Sequence, residues 1–172
     1  LFNADGNTNL TSVKSVLGTA IPFRGDHGIS RNPESFAEDE FRCYFTDRDR
    51  GAVCRLSMDG VTAISDIGMH DWFKDNLKSA VAMVGAFNDE KGEYDVTIHN
   101  NRGKDDTDVD ATVDVTKQVY TLSFNEKTNS WVSFKSYVLD YGLSLNNDYY
   151  TFKQGEVWHH AAENITTDVA IP

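Results

Sequence analysis

Three short stretches of the chain share one signature. Phe45-Thr46-Asp47-Arg48-Asp49-Arg50-Gly51, Phe87-Asn88-Asp89-Glu90-Lys91-Gly92 and Phe124-Asn125-Glu126-Lys127-Thr128-Asn129 each run from an aromatic residue through a small polar one and an acid into a charged turn. Their first residues stand 42 and 37 positions apart. Runs of β type flank each turn. One hairpin cannot bury its own apolar face, so a recurrence of about 40 residues built on hairpins predicts propeller blades or stacked β modules. On this reading Phe45, Phe87 and Phe124 are equivalent anchors in successive sheets, each shielded by the next sheet along.

The alternation around the first turn agrees with a hairpin. Phe41-Cys43-Phe45 and Ala52-Cys54-Leu56 alternate with Arg42-Tyr44-Thr46 and Val53-Arg55-Ser57, a period of two that predicts one buried face. Further strands are expected at 61–64, 81–87, 94–98, 113–124, 131–138, 143–145, 149–152 and 156–160. Between them the period changes: Met69, Trp72, Phe73 and Leu77 stand at i, i+3, i+4 and i+8, opposite His70, Asp71, Lys74 and Asp75. That spacing predicts a short amphipathic helix whose Trp72 and Phe73 cover an edge or end of the β array.

The expected fold is mainly β: a hairpin-repeat, propeller-like or β-sandwich array of antiparallel strands with one short helix. A loop-rich, extended N-terminal segment (1–36) precedes a β-rich repeat domain (37–165) and a C-terminal tail (166–172). Three or four units are too few to close a propeller, which takes four to eight blades. With a first residue of Leu1, this predicts either a piece of a longer β array or a β domain that only borrows the hairpin style. The expected core is Phe41, Phe45, Leu56, Trp72, Phe73, Phe87, Tyr94, Phe124, Trp131, Tyr150 and Trp158.

Charge narrows the function. Sixteen Lys and Arg against 27 Asp and Glu give a net charge of −11. Phosphate backbones and anionic membrane surfaces both require clustered basic residues, so neither nucleic acid nor membrane is an expected partner. No apolar run approaches the ~20 residues needed to cross a bilayer. If Thr46 lies opposite Gly51, Cys43 and Cys54 face each other across the hairpin. A cross-strand disulfide is then conceivable, and reduced thiols are the favoured reading, since nothing in the chain demands an oxidising compartment.

Candidate chemistry is sparse. Asp105, Asp106, Asp108 and Asp110 imitate the start of a calcium loop, but Ala111 and Lys117 stand where that loop needs glycine and glutamate, which favours a solvated acidic loop. His159 and His160 are strand neighbours that point to opposite faces and cannot share a metal. His27, His70 and His99 have no motif partners. No nucleophile elbow or phosphate-binding glycine loop is present. Trp131, Tyr137, Tyr141, Tyr149, Tyr150 and Trp158 could stack on sugars, although strand alternation assigns most of them to packing. No catalytic, cofactor-binding or metal-binding residue is assigned, no cofactor is expected, and the chain reads as a non-enzyme.

Several longer blocks carry a resemblance. Asn32-Pro33-Glu34-Ser35-Phe36-Ala37, the stretch from Tyr44 through Val53, and Arg55-Leu56-Ser57-Met58-Asp59-Gly60 form one continuous block. Ile64-Ser65-Asp66, the stretch from Met69 through Leu77, Trp131-Val132-Ser133-Phe134-Lys135-Ser136 and the stretch from Leu145 through Phe152 extend it. Together, over roughly residues 28–165, these resemble a large virion structural protein of tailed bacteriophages, especially marine phages with contractile tails. The resemblance implies a non-enzymatic component of the virion, assembled in the host cytoplasm. It would sit in the tail or neck and contact copies of itself and neighbouring virion proteins. The second reading is a carbohydrate-binding module that attaches to a host-surface glycan; the third is a hydrolase acting on an envelope sugar.

Overall fold

The computed structural model describes residues 25–100 and 118–160, together with the backbone of 169–171. A 3-10 turn at Pro33–Ser35 leads into β1 (Ala37–Glu38), β2 (Cys43–Asp47), β3 (Ala52–Ser57) and β4 (Gly60–Ala63). A second 3-10 turn, Ile64–Asp66, precedes helix α1 (His70–Leu77). There follow β5 (Ala80–Asn88), β6 (Glu93–Asn100), β7 (Gln118–Asn125) and β8 (Ser130–Lys135). The last strands are β9 (Tyr141–Leu145), β10 (Asp148–Lys153), β11 (Glu156–His160) and β12 (Val169–Ile171). Each strand pairs antiparallel with its sequence neighbour, giving three four-stranded sheets: β1 to β4, β5 to β8 and β9 to β12. Among the described residues the fold is mainly β with one short helix, as the sequence predicts. Three sheets do not close a propeller ring.

The recurrent signature is the chemistry of a turn. Three hairpins close on four-residue loops, with Asp47 opposite Ala52, Asn88 opposite Glu93 and Asn125 opposite Ser130. In each, the last strand residue accepts a backbone N–H three positions on. Arg50 N donates to Asp47 Oδ1 at 3.2 Å, Lys91 N to Asn88 Oδ1 at 3.2 Å and Thr128 N to Asn125 Oδ1 at 3.1 Å. The fourth loop residue is left-handed: Gly51 at φ 71°, Gly92 at 65° and Asn129 at 48°.

Aligned on the turns, Thr46, Phe87 and Phe124 are equivalent. Phe45 stands one residue earlier and so points to the other face. It joins Ala52 and Cys54 in a small cluster, whereas Phe124 lies in the main core and Phe87 packs against it. Phe87 and Phe124 also belong to the same sheet. The expectation that the three phenylalanines anchor successive sheets is therefore overturned.

The middle sheet is covered on both faces. On one face the cross-strand row Phe87, Tyr94, Phe124 and Trp131 packs with Val96 and Ile98 against Tyr44 and Val53 of the first sheet and Phe73 and Leu77 of α1. The other face carries Asp95, Thr97, Thr121 and Ser123, all buried, against Leu139 and Tyr149. Three layers result. The close approach of the first layer depends on Gly85, where a Cβ would collide with the Ser35 carbonyl. The helix behaves as expected: Trp72 meets Tyr120 and Phe134 edge-on at 5.5 Å each, closing one end of the sheet.

The expectation of one buried face for the first hairpin is corrected. Tyr44 and Val53 face the middle sheet, while Phe45 and Cys54 are covered on the opposite side by Ile29 and its neighbours. Phe41 is 70% exposed rather than core, because β2 begins only at Cys43. Asp39 Oδ1 accepts the N–H groups of Phe41 (2.7 Å) and Arg42 (2.6 Å), forming a turn outside the sheet. Tyr150 is replaced in the core by Tyr149, and Trp158 is half-buried beside a cavity. The hairpin register places Cys43 opposite Leu56 and Cys54 opposite Phe45, so the cysteines do not face each other; both are free thiols.

Candidate functional site

The third sheet has an inverted distribution of residues. Its strand β9 meets β5 through Gly142 and Ser144. Ser144 Oγ donates to the Phe87 carbonyl at 2.8 Å and accepts Asp89 N–H at 3.0 Å. A side chain at Gly142 would run into Ala86. With small residues turned inward, Tyr141, Leu143 and Leu145 point outward, 57%, 41% and 62% exposed. The register extends this face: Tyr150 lies beside Leu143 and His159, and Phe152 beside Tyr141 and Val157. Tyr150 stacks on His159 at 4.8 Å and Tyr141 meets Phe152 at 5.9 Å. Among the described residues, the ionisable side chains on this face are Asp148 and His159, 3.3 Å apart. A contiguous apolar and aromatic surface of this kind is a candidate interaction site.

Next to this face the strands β1, β5 and β9 converge. Two hollows of about 360 and 560 Å3 share Glu38, Phe87 and Asp89 and form one groove. Exposed Phe36 and Phe41 give it apolar walls, and Glu38, Glu40 and Asp89 give it an acidic rim.

Between the middle and third sheets lies a polar layer. Asp95 is fully buried and accepts hydrogen bonds from Ser123 Oγ and from the Tyr137 hydroxyl, the latter at 2.7 Å. Burial pushes its carboxyl above the usual range, while these donors and Lys135 pull the other way. The Tyr149 hydroxyl faces the same carboxylate outside hydrogen-bond geometry, and burial followed by the Asp95 charge raises it far above the ordinary phenol range. Glu93 is held by Lys135 Nζ at 3.0 Å and Asn125 Nδ2 at 3.2 Å.

Beside this layer is a cavity of about 220 Å3 lined by Ser136, Tyr137, Val138, Thr151, Lys153, Trp158 and His160. His160 Nε2 and Thr151 Oγ1 are 2.8 Å apart at its floor.

The candidates raised by the sequence scatter. Asp105, Asp106, Asp108 and Asp110 lie outside the described residues. His27 meets Asp47 at 3.5 Å and His70 meets Asp66 at 2.7 Å, in separate regions. His159 faces outward and His160 inward, as strand alternation requires. Among the described residues, no three His, Cys, Asp or Glu side chains gather as a metal would require. Of the aromatic residues considered as sugar platforms, Trp131 packs on Phe73 and donates to the Ile64 carbonyl at 3.0 Å. Tyr149 is buried, Tyr141 and Tyr150 lie on the outer face, and Tyr137 and Trp158 both line the cavity.

The outer face was missed because the alternation Tyr141-Gly142-Leu143-Ser144-Leu145 reads as apolar-inward. The signal that could have found it is the pair Gly142 and Ser144, small enough to let two sheets approach. Asp95 was missed because Asp95 and Thr97, alternating with Tyr94, Val96 and Ile98, read as the solvent side of a strand.

No curated protein matches the chain. The family model for the Crassvirus muzzle protein matches residues 24–155, which span the first two sheets and reach the turn between β10 and β11. An array of antiparallel sheets with its last sheet apolar on the outside therefore comes from a chain that belongs to the Crassvirus muzzle protein family, a family of phage virion structural proteins.

Proposed function

We propose that the chain is a non-enzymatic assembly element of the phage tail or neck, in contact with copies of itself and with neighbouring tail or neck proteins. One observation carries this reading: the outer face of the third sheet presents Tyr141, Leu143, Leu145, Tyr150 and Phe152 with little charge of its own. In a chain of net charge −11, two copies repel each other over most of their surfaces. Asp148, beside His159, is the one carboxylate that the described residues place on this face, so copies meet there with little opposing charge, and the face gains the hydrophobic term on burial. Face-to-face sheet packing then extends the layered order by one more layer. The acidic groove beside it suits a neighbour that brings basic residues around an apolar anchor.

Sedimentation velocity tests the self-contact. The chain associates as concentration rises, and the double variant Leu143→Lys, Leu145→Lys remains a monomer with an unchanged melting temperature. A wild-type chain that stays monomeric to high concentration refutes self-contact through this face. The second reading, a host glycan as ligand, is favoured by the cavity between Tyr137 and Trp158.

A further inference from the structure

The cavity between the third sheet and residues 136–138 has a distinctive chemistry. Its seven lining residues include two aromatic residues, Tyr137 and Trp158, two aliphatic hydroxyls, from Ser136 and Thr151, and two nitrogen-bearing side chains, Lys153 and His160; the Tyr137 hydroxyl is held by Asp95. No Asp or Glu lines it, in a chain where acids outnumber Lys and Arg by 27 to 16. The Trp158 indole is half-buried and lines the cavity, so part of its ring forms one wall. Lys153 is exposed and forms no ion pair among the described residues; Glu156, its cross-strand neighbour, stays outside the lining.

The volume, about 220 Å3, lies below the ~300–1,000 Å3 of drug-sized sites. It suits one six-membered sugar ring and not two. A pyranose offers an apolar face of C–H groups to an indole and a rim of hydroxyls to Ser136 and Thr151. The ammonium of Lys153 at the mouth adds a charged donor that a neutral sugar leaves unmatched and a carboxylate satisfies.

We infer that this cavity binds the terminal residue of an acidic glycan, a hexuronic acid unit whose ring stacks on Trp158 and whose carboxylate meets Lys153. The inference rests on the carbohydrate reading above and adds to it the sign of the ligand's charge. It is independent of the assembly face, because Thr151, Trp158 and His160 lie on the inner side of the third sheet.

Saturation-transfer NMR with methyl β-glucuronide and methyl β-glucoside tests it on the whole chain, alongside Lys153→Met and Trp158→Leu. The glucuronide is expected to bind saturably and about tenfold more tightly than the glucoside, the loss that follows from removing a charged hydrogen bond. Lys153→Met should erase that preference while leaving the glucoside and the melting temperature unchanged, and Trp158→Leu should weaken both sugars. Equal binding of the two sugars, or an equal loss of both in Lys153→Met, overturns the acidic assignment and leaves a carbohydrate site. Saturable binding of neither overturns both.

Discussion

Tyr44 lies flat on Tyr94, with ring centroids 4.9 Å apart and planes 14° from parallel, and this stack seats the first sheet on the second. Both rings are fully buried, and their hydroxyls reach opposite anchors. Tyr94 donates to the Ser35 carbonyl at 2.7 Å, while Tyr44 donates to Glu126 Oε1 at 2.8 Å, in the loop between β7 and β8. Burial raises both phenols well above their usual range, so they remain neutral donors at working pH. The stack is thus a two-ended clamp between layers, and it stands where the sequence signature placed Phe45.

Glu126 gathers the free end of that clamp. Besides Tyr44, it meets Arg55 Nη1 at 3.0 Å and Arg42 Nε at 3.5 Å, and its side chain is only 11% exposed. Glu126→Gln keeps the shape and removes the charge. It is expected to cost about 1.5–3 kcal/mol, the range for hydrogen bonds to charged groups. Urea denaturation measures the loss, and a double-mutant cycle with Arg55→Met should show coupling. Additive effects of the two substitutions would place the interlayer bond elsewhere.

Gly85 tests the approach of the layers. An added Cβ there meets the Ser35 carbonyl, a backbone atom that cannot rotate away, and crowds the Tyr94 hydroxyl. Gly85→Ala is expected to destabilise by about 1–3 kcal/mol or more, as overpacking does. Gly28, with open space around its Cβ position, is the control, and Gly28→Ala should stay within about 0.5 kcal/mol. Equal melting temperatures for the two variants would contradict the close approach.

Asp95 gives a dependence on pH with a defined sign. Its folded pKa is raised, with desolvation the largest cause, so the folded state holds the proton more tightly than the unfolded chain does. The contribution is fully present below the unfolded pKa of ~3.9 and fades as pH rises through the folded value. Asp95→Asn removes this linkage. The stability of wild type relative to the variant should therefore increase as pH falls from neutrality toward 4. A difference that is flat, or that grows with rising pH, would mean that the Ser123 and Tyr137 donors outweigh burial.

The two thiols differ in reactivity. Burial, then the nearby Asp47, pushes Cys54 up to about 12, and its side chain is fully enclosed. Cys43 is also raised, by burial and by Glu38 and Asp39, but it is only half-buried. Iodoacetamide at pH 8 should modify Cys43 slowly and leave Cys54 intact until the protein unfolds. Labelling of Cys54 in the native state at a comparable rate would show that the first sheet opens locally.

Strand and helix identities were legible where periodicity was strong. The helix read from Met69, Trp72, Phe73 and Leu77 spans His70–Leu77, and the strand read at 156–160 is Glu156–His160. What local pattern could not fix was the face. Tyr149 and Tyr150 have identical propensities, and only the small residues of the neighbouring strand β9 decide which one turns inward. Phe45 matched Phe87 and Phe124 in sequence, but a strand longer by one residue reversed its side. The burial of β6 on both faces depends on a third layer that no stretch of local sequence announces. The strand Val169–Ile171 was too short for its alternation to stand out.

The most direct measurement is a side-chain-resolution reconstruction of the chain inside the intact virion. In the assembled particle, Tyr141, Leu143 and Leu145 should be buried against an adjacent subunit, with Tyr150 and Phe152 beneath the same contact. An outer face of the third sheet that is open to solvent in every copy would contradict the role assigned to it.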